Sequence, residues 1–206
     1  MEIFKEIFLG GKWDGKMRYP KNYNKNNPKI LSKIEKDLKP EITKPFHYLF
    51  LGDVGCGKTY LAKIIEHNMI VKKELDLSQI SSIQSARKHY LKYLELMKSD
   101  YSDKGEALDH HRRSISHGDF IILDDLGDEK PGTDAAHDYF AGVVEDRYDY
   151  ISKYEYTRTI ITSNLNSDTF INMYGSRVFD RLTEKFTIMK FKSHSFRQEK
   201  LNVVSG

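Results

Sequence analysis

The sequence predicts an α/β fold built on a parallel sheet, and two observations lead there. Short apolar runs alternate with longer amphipathic stretches, and the first run leads straight into a glycine-rich loop followed by a helical pattern. Strands covered by helices on both faces read as continuous apolar runs, because no side of the strand meets water. Residues 48–51, 120–123, 159–162 and 187–191 have that character, and 69–75 has it more weakly, giving a sheet of about five strands flanked by helices. Over residues 82–98, Ile83, Ala86, Tyr90, Leu94 and Met97 recur at helical spacing on one face. Residues 133–150 form a second amphipathic helix, with Thr133 as N-cap after Pro131 and Gly132, and with Ala136, Phe140, Val143, Val144 and Arg147 on the inner face.

At 206 residues the chain fits one domain, taken as residues 46–206, preceded by a Lys- and Asn-rich extension over residues 1–45. Hydrophobic residues at 39% and charged residues at 31% are ordinary for a globular chain, and no run approaches the roughly 20 apolar residues of a membrane span. The first residues lack the apolar length and cleavage site of a secretory signal, so a cytoplasmic protein is expected. The single cysteine, Cys56, excludes an internal disulfide, and the eight histidines have no zinc-ligand spacing. With a formal charge of only +3, any nucleic-acid contact must come from a local basic surface.

The loop Gly52, Asp53, Val54, Gly55, Cys56, Gly57, Lys58, Thr59 matches the phosphate-loop pattern G-x-x-x-x-G-K-[ST], with a strand before it and an amphipathic helix over 61–65 behind. Its glycines let backbone N–H groups curl around phosphates at a helix N-terminus. Lys58 is expected on the β- and γ-phosphates of ATP and Thr59 on Mg²⁺, the nucleotide contacts running from Gly52 through Tyr60. A chance glycine-rich turn would not come with strand, Lys-Thr pair and helix together. About sixty residues on, the apolar run from Phe120 ends in Asp124 and Asp125; Asp124 is expected to hold magnesium and Asp125 to accept the proton of the attacking water.

Phe120 to Gly127, Arg147-Tyr148, Ile160 to Leu165, Tyr174 to Leu182 and Ser195 to Arg197 follow, in order, the motifs of the DnaC/DnaI/IstB-like AAA+ ATPases, a group of helicase loaders and transposition helpers. The resemblance spans residues 46–197 and implies a P-loop AAA+ fold without a full C-terminal lid domain. It also implies that Asn164 is a sensor orienting water against the γ-phosphate, that Arg181 is an arginine finger entering a neighbouring subunit, and that Arg197 contacts nucleotide in its own subunit. Arg177, one helical turn earlier, is a second finger candidate. Tyr23, with Asn22, resembles a short aromatic motif near the adenine; a loop tyrosine without a ligand is the alternative. The family tolerates Asp where most AAA+ enzymes carry Glu, and the shorter side chain of Asp125 implies slow hydrolysis. Loaders carry a separate helicase-binding domain, for which residues 1–45 are few.

The function this implies is an ATPase that assembles into a homo-oligomer on ATP and loads or remodels a replicative helicase on single-stranded DNA. A transposition helper shares every nucleotide motif, and a small-molecule kinase has similar length but an arginine-rich lid, of which the sequence shows no sign. Arg87, Lys88, Lys92 and Lys98, continued by His110, His111, Arg112 and Arg113, either line a groove for DNA phosphates or are solvated helix faces. Ile3, Phe4, Ile7 and Phe8 form one apolar helical face, either packed on the ATPase core or offered to a partner.

Overall fold

The computed structural model describes residues 28–37, 45–71, 83–100, 102–129 and 134–191. Its elements run α1 (Pro28–Asp37), β1 (Phe46–Leu51), α2 (Lys58–Val71), β2 (Gln84–Ser85), α3 (Ala86–Lys98), α4 (Lys104–Ser116), β3 (Phe120–Leu126), α5 (Asp134–Lys153), β4 (Arg158–Ser163), α6 (Ser167–Tyr174), α7 (Ser176–Lys185) and β5 (Thr187–Lys190). The strands form one parallel five-stranded sheet in the order β2-β3-β4-β1-β5.

Strand alternation divides the core into two layers. Phe46, Tyr48 and Phe50 of β1 stack along one face, with ring centroids 4.9 and 5.9 Å apart, and pack with Leu61 and Ile65 of α2 and Leu31 and Ile34 of α1. Leu49 and Leu51 point the other way, into a layer shared with Phe140 and Val143 of α5, Phe170 of α6 and Leu182 of α7. This placement puts all five strand C-termini on one edge, where ligands of open α/β sheets bind.

Three expectations are corrected. Residues 69–71 are the last turn of α2, not a strand; the rest of that stretch lies outside the described residues. The edge strand is instead Gln84–Ser85, inside the stretch expected to be helical, and α3 starts only at Ala86, with the Ser85 hydroxyl capping the N–H of Lys88. Pairing of Gln84 and Ser85 with Leu123 and Asp124 outweighs local helix propensity there. Met97, expected on the buried face of α3, is exposed, and His89 is buried instead. Among the described residues no helix is long and apolar enough to cross a membrane.

Candidate functional site

The loop between β1 and α2 turns through three glycines with positive φ, Gly52 at 153°, Gly55 at 84° and Gly57 at 94°. A Cβ on Gly52 would lie 2.9 Å from the carbonyl oxygen of Phe191, so neither the backbone angle nor the space there accepts a side chain. Because α2 begins at Lys58, the first free N–H groups of the helix belong to the loop and its first turn.

Lys58 is only 4% exposed. Its Nζ donates to Gly52 O at 2.6 Å, Asp53 O at 2.9 Å, Cys56 Sγ at 3.5 Å and Asn164 Oδ1 at 2.8 Å. All four acceptors are neutral, so hydrogen bonding satisfies the ammonium without neutralising it, and an anion arriving at the loop gains its charge. The Cys56 thiol is pushed up by burial, with Lys58 pulling the other way, which keeps it protonated beside the ammonium.

Beside this cation lies a polar lattice around β3. Asp124 Oδ1 accepts 2.8 Å bonds from both Thr59 Oγ1 and Thr162 Oγ1, and Thr162 Oγ1 in turn accepts the N–H of Asp125 at 2.9 Å. Asn164 Nδ2 reaches Asp125 Oδ1 at 3.4 Å while its Oδ1 holds Lys58. The ladder between β3 and β4 shifts register between Leu123 and Leu126, and Asp125 takes the left-handed conformation at φ 56°. In a regular strand two successive aspartates would face opposite sides; the bulge turns both toward the loop.

Thr59 Oγ1 and Asp124 Oδ1 are thus adjacent oxygen donors of the kind that hold Mg²⁺, which keeps several waters and takes few protein ligands. The residues fit that ion, which when bound would neutralise phosphate oxygens. Asp125 offers a carboxylate oxygen to hold a proton, and Asn164 spans from that carboxylate to the Lys58 ammonium.

No family model and no curated protein sequence matches the chain. Solved structures do. A DnaC helicase loader is similar over 84% of this chain and 100% of its own, with TM-score 0.62 and 19% identity. The chain has an AAA+ fold. A replication initiator DnaA bound to AMPPCP and single-stranded DNA is similar at TM-score 0.59 and 15% identity over 87% of this chain and 52% of its own. The ORC1 protein of Aeropyrum pernix in complex with DNA is similar at TM-score 0.56 and 16% identity, over 98% of this chain and 53% of its own. The chain therefore spans about half the length of those two proteins.

Within that AAA+ fold, the structure brings together Lys58, Thr59, Asp124, Asp125 and Asn164 through direct hydrogen bonds. Arg181 stands elsewhere, on α7, where its guanidinium lies 3.2 Å from Glu145 and 5.1 Å from the centre of the Tyr148 ring. Arg177 contacts the same Glu145 oxygen at 3.2 Å, but its side chain is 74% exposed against 22% for Arg181. Tyr23, Arg197 and the apolar face of Ile3, Phe4, Ile7 and Phe8 lie outside the described residues. Of the basic candidates, Lys92 pairs with Glu95, Arg113 with Asp109 and Arg112 with Asp146; Arg87, Lys88, Lys92, Lys98, His110 and Arg113 are exposed. His111 is stacked on buried His89 with ring centroids 3.7 Å apart, so it serves packing rather than a groove.

Sequence reasoning missed Thr162, the second side chain that donates to Asp124. Its signal was a hydroxyl in the interior of a run in which all six residues are buried.

Proposed function

We propose that this chain binds ATP with Mg²⁺, hydrolyses it slowly, and assembles on ATP into a homo-oligomer that loads or remodels a replicative helicase on single-stranded DNA. The observation that carries the ATPase reading is the buried Lys58 ammonium, held by neutral acceptors only and tied to Asn164, with the Thr59–Asp124–Thr162 lattice beside it. In the proposed reaction Lys58 binds the β- and γ-phosphates, Thr59 and Asp124 hold the ion, Asp125 accepts the water's proton and Asn164 orients that water. Arg181 enters the neighbouring copy's site, where a planar guanidinium offsets charge developing on the transferred group. Leaving Glu145 and Tyr148 is the conformational step this role requires of it.

The replication role is supported by likeness to the DnaC helicase loader, to a replication initiator DnaA solved with single-stranded DNA and to an ORC1 protein solved with DNA. Exposed Arg87, Lys88 and Lys98 are the side chains proposed to meet DNA phosphates. Titration with a fluorescent ATP analogue tests the first part: Lys58→Ala should lose most of the affinity, and unchanged affinity would overturn the nucleotide reading. A pull-down with and without ATP tests the second. Capture of a hexameric helicase supports the loader role, and capture of a transposase would replace it with the transposition helper.

A further inference from the structure

Glu129 lies just past β3 and is 3% exposed. Its Oε1 accepts a 2.7 Å hydrogen bond from Tyr174 Oη, while its Oε2 is buried with no hydrogen-bond partner among the described residues. Burial of the carboxyl is offset first by the Tyr174 hydroxyl and then by the backbone of Glu129 and Gly127, so the position calls for a reason beyond filling space. Both neighbours of the pair supply one. Upstream, Glu129 lies on the segment that leaves Asp125, closed by Asp128 N to Asp125 O at 3.0 Å and turned at Gly127 with φ 102°. Leu165, the residue after Asn164, fills the space a Cβ on Gly127 would need, at 2.7 Å. Downstream, Tyr174 is the last residue of α6, and Gly175 at φ 89° joins it directly to α7. The Phe170 ring bridges the two helices, 4.8 Å from Tyr174 and 5.8 Å from Phe179. The arginines Arg177 and Arg181 stand on that second helix.

We infer that Glu129, acting through Tyr174, is a positioning residue that fixes α7 against the acidic end of β3 and so sets the pose in which Arg181 is presented to a neighbouring copy. This rests on the proposed trans-acting role of Arg181. The hydrogen bond links the segment after Asp125 to the end of α6. It is placed at the Gly175 joint, where a small rotation swings the whole of α7.

Subunit mixing locates the lesion. Tyr174→Phe should lower turnover about tenfold, the loss of roughly one buried hydrogen bond, with KM for ATP unchanged. Mixed with Asp125→Asn, which keeps its arginines, Tyr174→Phe should regain activity; mixed with Arg181→Ala it should not. The mixture of Asp125→Asn and Arg181→Ala is the control, and if it stays inactive at concentrations that permit assembly, the trans-acting finger itself fails and this inference with it. If the control is rescued, the reversed pattern would mean that Tyr174 serves its own subunit's acid. Rescue in both mixtures, rescue in neither, or wild-type turnover of Tyr174→Phe would equally overturn the inference. Glu129→Gln, which still accepts from the phenol, should retain most of the turnover, and Glu129→Leu should repeat the Tyr174→Phe pattern. If Tyr174→Phe melts early, Glu129→Leu takes its place in the mixtures with the same outcomes.

Discussion

Two buried cations stand at opposite ends of β4, and both are held by neutral acceptors. Arg147, 2% exposed, sits at the N-terminal end. Its guanidinium donates to Thr159 Oγ1 at 2.8 Å, Ser116 O at 3.3 Å, Gly118 O at 2.7 Å and Arg158 O at 2.9 Å. Those acceptors belong to the end of α4, the turn into β3 and the start of β4, so one planar fork pins three segments. Burial lowers Arg147 to about 10, offset in part by Tyr150 and Asp119, which leaves it charged at neutral pH. Lys58, at the other end, holds two carbonyls of its own loop, a thiol and an amide side chain. The difference lies in what each cation would lose by letting go. Arg147 would orphan backbone carbonyls that no ligand replaces, whereas Lys58 can exchange its acceptors for phosphate oxygens. A buried charge by itself therefore says little; the permanence of its acceptors separates a rivet from a binding group.

The largest effect should come from the phosphate end. Asp125→Asn keeps shape and the Asn164 contact but cannot take a proton, so turnover should fall about 10²- to 10⁴-fold with nucleotide affinity largely kept, read by steady-state hydrolysis beside a binding titration. Wild-type turnover would make the acidic strand end structural.

At the other end, Arg147→Met should cost about 3–5 kcal/mol of stability by leaving several buried carbonyls unsatisfied. Denaturant unfolding measures this, and the folded fraction should still bind ATP. Lys58→Met should do the reverse, abolishing nucleotide binding while leaving stability level or raised, because it removes a buried charge that hydrogen bonds only partly compensate. Equal destabilisation by the two substitutions would erase the distinction between rivet and binding group.

Thr162→Val sharpens the lattice. It removes one donor to Asp124 and the acceptor for the Asp125 N–H, at a cost of about 1–3 kcal/mol. Weaker magnesium dependence should accompany that loss if the lattice orients Asp124.

The smallest effect is on pH. Burial lowers His47 to about 3, helped by Arg147 and Lys185, and lowers His89 to about 3, helped by His111. Both are neutral in the fold, His47 against Thr159 and His89 against Tyr139. The unfolded chain, with histidines near 6.5, binds more protons between those values, so stability present above pH 6.5 should decline as pH falls toward 3. Thermal melts at pH 7.5 and 5 should show the decline, and His89→Phe should lessen it; a flat profile would mean that these rings are not buried neutral.

The phosphate loop, the acidic end of β3, the strands β1, β3, β4 and β5, and the inner face of α5 follow from the sequence itself, because each is encoded by residues a few positions apart: a glycine where φ is positive, an apolar run where both faces are covered, a repeat every three or four residues. The edge strand did not follow, since two residues such as Gln84 and Ser85 carry no periodicity and become a strand only by pairing with Leu123 and Asp124. Nor did the bulge that turns Asp124 and Asp125 to the same side, the Thr162 hydroxyl beneath them, the hold of Glu145 on both arginines, or the four acceptors of Arg147. Those depend on partners far away in the chain, with Lys58 and Asn164 separated by 106 positions. Local chemistry fixed which groups could bind phosphate; packing of distant segments fixed where each proton, charge and hydrogen bond would point.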